Sequence, residues 1–153
     1  MLKAILTTRI FILKIVMTAL LMVLLPGTNN AQKFRPEKYK KAILYFGHGG
    51  GFAGIENSNA LMENGRLFSK QSLSDKTYTP VTKLGRNQTA QLFSNYFFLG
   101  IPELQLEDPG NIYKFVEYTR KQNRHRLTWG GKTLVPENLA LFYSNLTSLL
   151  PKP

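Results

Sequence analysis

The chain has 153 residues, no cysteine, and 20 Lys and Arg against 9 Asp and Glu, a formal net charge of +11. That length suits a single domain with a real core and excludes a nucleotide-binding domain joined to a separate substrate domain. Without cysteine there is no disulfide framework, thiolate nucleophile, zinc-thiolate site or lipid-modified cysteine. Two histidines and nine acids offer little material for a catalytic centre, so composition points to a non-enzymatic binding protein with no cofactor.

Residues 1–31 carry Lys3, Arg9 and Lys14 and no acid. Ile15–Leu25 is apolar except for Thr18, and Pro26-Gly27-Thr28-Asn29-Asn30-Ala31 follows. A charged start, a short apolar run and a small residue at the break form the pattern of a secretory signal peptide, with the cut expected near Ala31. The apolar run is shorter than the roughly 20 residues a membrane span needs, so no stable span is expected after cleavage. Localisation is therefore read as exported, periplasmic or secreted. Removing this segment lowers the formal charge from +11 to +8. A basic surface favours anionic partners, and export makes nucleic acid an unexpected one.

Residues 32–41 read as a polar, basic leader containing Pro36, and residues 42–150 as one domain. Ala42–Phe46 suits a short strand running into Gly47-His48-Gly49-Gly50-Gly51-Phe52-Ala53-Gly54. Asn64-Gly65 sits between apolar pairs, a hairpin signal because both turn positions favour positive φ. It predicts paired strands over Ile55–Met62 and Arg66–Ser72, with Tyr78–Val81 as an edge strand. Asn87 is expected to cap a helix with Ala90, Phe93 and Phe97 on its buried face, stopped by Gly100. Ile101–Gly110 reads as an acidic loop. Asn111–Thr119 and Arg124–Trp129 form a second predicted hairpin. Pro136-Glu137 opens a last helix with Leu139, Phe142, Leu146 and Leu149 as its stripe. The expected fold is α+β: an antiparallel sheet of about five strands built from hairpins, with both helices on one face.

Gly49, Gly51 and Gly54 match the spacing of a dinucleotide fingerprint, but a hairpin follows where a helix and a parallel crossover are required. His48-Gly49-Gly50-Gly51 imitates a lipase oxyanion segment, yet the chain lacks a Gly-x-Ser-x-Gly elbow. Neither His48 nor His125 falls in a metal-ligating spacing, so no metal site is expected. Two binding readings remain. In one, Gly49, Gly50, Gly51, Phe52, Ala53 and Gly54 form a side-chain-poor segment that meets a partner's groove through its backbone while Phe52 anchors it. A bend serving only the fold is the alternative for this segment. In the other, Arg120, Lys121, Arg124, Arg126 and Lys132 bind an anionic polymer of the cell envelope.

The order of Gly50-Gly51-Phe52-Ala53-Gly54, a hairpin and helix, Asp108-Pro109-Gly110-Asn111-Ile112-Tyr113-Lys114-Phe115, a basic strand with His125 and a Pro136-led helix resembles the emfourin family. Those small proteins inhibit thermolysin-like metalloproteases. The chain departs from them in its signal peptide, its basic charge and its longer first hairpin. The resemblance implies an α+β fold, an exported metalloprotease as partner, and Gly49–Gly54 as the contact segment. Mass spectrometry of the exported protein should find a new N-terminus close to Gln32; a membrane-bound chain retaining Met1 would contradict cleavage.

Overall fold

A computed structural model describes residues 34–71 and 77–151; the expected signal peptide and its cleavage site lie outside them, as does Ser72. The order is β1 (Ile43–Gly50), β2 (Ile55–Met62), β3 (Arg66–Lys70), β4 (Thr79–Lys83), α1 (Arg86–Phe98), β5 (Glu107–Asp108), β6 (Ile112–Arg120), β7 (Asn123–Trp129) and α2 (Glu137–Thr147). The fold is α+β. Among the described residues the sheet has seven strands in the order β4-β3-β2-β1-β6-β7-β5.

The count departs from the expected five, and the sheet is not wholly antiparallel. β5 is two residues long and pairs parallel with β7, Glu107 opposite Thr128 and Asp108 opposite Trp129. No alternation can announce a strand that short, so it reads as loop. β1 also runs on through the glycines to Gly50, because its ladder with β2 and β6 continues there.

Strand alternation divides β1 between two layers. Leu44 and Phe46 point to the helices, joining Leu61, Leu67, Val116, Leu127 and Trp129 in the larger core. Leu139, Phe142 and Leu146 of α2 close over it, each fully buried. The expected Leu149 lies just past the end of this helix, half-buried. Ile43 points the other way, into a smaller cluster with Ala60, Met62, Phe68 and Tyr78. Residues 34–41, expected as a leader, partly cover this second cluster. Phe34 stacks on Phe68 with ring centres 4.2 Å apart and exchanges backbone hydrogen bonds with Tyr78.

α1 is rotated by one residue from the expected face. It buries Thr89, Leu92 and Tyr96, whereas Ala90 and Phe97 are exposed. Its N-cap is Gly85 rather than Asn87. Thr89 Oγ1 donates back to the Gly85 carbonyl at 2.9 Å. Tyr96 supplies the deciding contacts: it stacks on Tyr118 at 4.8 Å and its hydroxyl donates to His125 Nδ1 at 2.6 Å. His125 Nε2 donates to the Leu104 carbonyl at 3.0 Å, so the ring is held from both sides. Burial pushes the Tyr96 hydroxyl far above its ordinary pKa, with Tyr118 and Glu103 adding to the effect.

Phe142→Ala removes a fully buried ring from the larger core and should cost about 3–5 kcal/mol. Urea unfolding measures it; a loss below about 1 kcal/mol would mean that α2 does not close this core.

Candidate functional site

The glycine run folds as the tip of the β1–β2 hairpin. Gly50 pairs with Ile55, and Gly51-Phe52-Ala53-Gly54 form the loop, with Gly54 N donating to the Gly51 carbonyl at 3.1 Å. Gly50, Gly51 and Gly54 have φ of 103°, 73° and 58°, a region L side chains avoid. Gly51 N also donates to the Asn111 carbonyl at 2.7 Å, tying the tip to the residue before β6.

Gly49 and Gly47 have a different reason. β1 lies between β2 and β6, and Gly49 sits opposite both Glu56 and Tyr113. With no side chain on β1 there, Tyr113 reaches across the strand and donates to Glu56 Oε2 at 2.8 Å. A Cβ on Gly49 would come within 2.7 Å of the Tyr113 hydroxyl. One step along, a Cβ on Gly47 would run into the Asn57 carbonyl and crowd the Phe115 ring.

The same bare strip carries a charge network. Arg126 of β7 pairs with Glu56 of β2 and Glu117 of β6, each at 3.1 Å, and its guanidinium lies 4.0 Å from the centre of the Phe115 ring. Arg124 pairs with Glu117 at 2.7 Å. Glu56 and Glu117 are buried, at 9% and 6% exposure. Burial, and then Glu56, raise the Tyr113 hydroxyl above its ordinary pKa, keeping it a donor. Four strands' worth of sheet is therefore joined across side chains as well as through its backbone ladder.

The opposite face of the hairpin is apolar towards its tip. Ile55 and Ile112 flank Gly50 in register and are 49% and 68% exposed. Phe52 stands fully exposed at the loop. One step back on this face, Asn57 Nδ2 donates to His48 Nε2 at 3.0 Å, and Tyr143 of α2 donates to the Gly47 carbonyl at 3.0 Å. Both histidines thus have partners within the fold.

The five basic candidates separate. Arg124 and Arg126 face the carboxylates of Glu117 and Glu56. Arg120 and Lys121 lie exposed at the β6–β7 turn, where Lys121 adopts φ 56°. Lys132 follows the far end of β7, roughly 20 Å away at about 3.4 Å per strand residue. It sits in a loop held by Asp108, whose carboxylate accepts from Thr133 N at 2.7 Å and is held below the usual range by Thr133.

Reasoning from sequence missed Glu56, Glu117 and Tyr113. Arg124 and Arg126 share a strand face, which alternation shows, but the acids opposite them become partners only through the register of three other strands. No protein-family model matches the chain, and comparison with curated proteins finds no match.

Arg126→Ala strips the shared counter-charge from two buried carboxylates. Since its side chain is 27% exposed, the loss should be about 1–3 kcal/mol, less than for a fully buried pair. Urea unfolding checks this; unchanged stability would show that water replaces the guanidinium without penalty.

Proposed function

We propose that this chain is an exported, non-enzymatic protein-binding domain that uses the β1–β2 hairpin, from Gly49 to Gly54, as its contact. The carrying observation is Phe52, a fully exposed aromatic ring at the apex of a glycine-built loop. Each glycine of the segment has a reason in backbone conformation or close packing, whereas no fold contact explains a phenylalanine in water. Exposed aromatic anchors of this kind are typical binding hot spots, and Ile55 and Ile112 extend the apolar surface beside it.

The resemblance to emfourins gives the partner its class: a thermolysin-like metalloprotease, blocked by the hairpin. Support comes from the Gly-Gly-Phe-Ala-Gly segment itself, which supplies that anchor. Export is proposed from the sequence of residues 1–31. Binding to an anionic polymer through Arg120, Lys121, Arg124, Arg126 and Lys132 is the weaker reading. Two of those arginines already have carboxylate partners, and Lys132 lies far from the β6–β7 turn.

Micromolar protein should inhibit a thermolysin-like protease, with little change between low and high salt because the contact is apolar. Phe52→Ala should weaken inhibition by about thirtyfold, the loss expected for an aromatic hot spot worth ~2 kcal/mol. Its urea midpoint should not move. Full protease activity at micromolar protein would overturn the inhibitor reading, and equal potency of the variant would remove the hairpin as its contact.

A further inference from the structure

A groove of about 720 Å³ lies on the far side of the sheet from the helices, between residues 34–39 and the β3–β4 edge. It is separate from the hairpin tip. Its apolar lining includes Phe34, Met62, Phe68 and Pro80, and its charged lining among the described residues is Arg35, Lys38, Arg66 and Lys83. These four cations are exposed, and among the described residues none of them forms an ion pair. Tyr39 also lines the groove, with its hydroxyl buried on the side of Glu63 and Asn64.

We propose that this groove binds a single-chain anionic amphiphile, its alkyl chain along the apolar lining of Phe34 and Pro80 and its acidic head beside the four cations. The volume falls within the range of small-ligand sites. Charge complementarity selects the head: a carboxylate or a phosphate monoester complements the four cations. Charge also argues against other occupants. A second copy of a chain with net charge +11, or the N-terminal segment with Lys3, Arg9 and Lys14, would bring like charge. An acidic peptide adding as a strand would meet Pro80, which withholds a backbone donor from edge strand β4.

Calorimetry on the full chain tests this with dodecanoate and dodecyl phosphate below their micelle concentrations, beside dodecanol and acetate. Both anionic amphiphiles should bind at micromolar concentration. Dodecanol, lacking the charge, and acetate, lacking the chain, should bind at least about tenfold more weakly. Carboxylate and phosphate heads are distinguished by their relative affinities, and either being the tighter supports the proposal. An Arg66→Glu, Lys83→Glu double variant should lose at least about tenfold for both anions, with its urea midpoint showing that it folds. An Arg35→Gln, Lys38→Gln variant should show a smaller loss, and it tests the site again if the first fails to fold. Dodecanol binding as tightly as dodecanoate, or unchanged affinity in folded variants, would overturn it. So would a glutamate-rich peptide binding the groove while dodecanoate does not.

Discussion

The structure depends on what β1 lacks. It is the central strand, and on the face away from the helices its last two inward steps, Gly47 and Gly49, carry no side chain. Tyr113 and Phe115 from β6 lie over those positions, and Arg126 from β7 reaches Glu56 on β2, beyond β1. Backbone hydrogen bonds join each strand only to its neighbours; the Tyr113 and Arg126 contacts to Glu56 join strands that are not neighbours. Larger side chains on β1 would separate Tyr113 and Arg126 from Glu56 and leave that carboxylate buried without partners, which is costly. A hairpin made largely of glycine is flexible in isolation. Bracing it from one face and tying Gly51 to Asn111 offsets that freedom.

The distribution of charge follows from the same network. Net positive charge suggests a broadly basic surface, but Arg124 and Arg126 face acids within the sheet. Four other cations, Arg35, Lys38, Arg66 and Lys83, line the groove beside β3 and β4 and form no ion pair among the described residues. One end of the sheet thus offers an apolar tip and the other side a basic, apolar-lined groove. These are two surfaces of different chemistry on one small domain.

Hairpins were the most legible feature of the sequence, because Asn64-Gly65 and the β-rich runs Asn111–Thr119 and Arg124–Trp129 report local geometry directly. The stripe Leu139, Phe142 and Leu146 was legible for the same reason: period and burial agree. α1 was harder. Its apolar residues surround the helix, so Ala90, Phe93 and Phe97 looked as good a face as Leu92 and Tyr96. Only the His125 and Tyr118 contacts from distant strands choose between them. The candidate site divides likewise. Glycines and Phe52 could be marked from sequence, but whether the run was extended or a turn depended on Gly50 pairing with Ile55. The partners of Arg126 depend on the register of β2, β6 and β7 together, which no local pattern encodes.

Amide hydrogen exchange at the hairpin tests most directly whether the network braces it. In the native chain, amides of Gly49 to Ile55 that join the ladder should exchange nearly as slowly as those around Phe46. In Arg126→Met, which keeps the stacking on Phe115 but removes the charge, the tip should open about tenfold more often while Leu44 and Phe46 stay protected. Exchange at the tip that is fast in the native chain, or unaltered by the variant, would contradict the account.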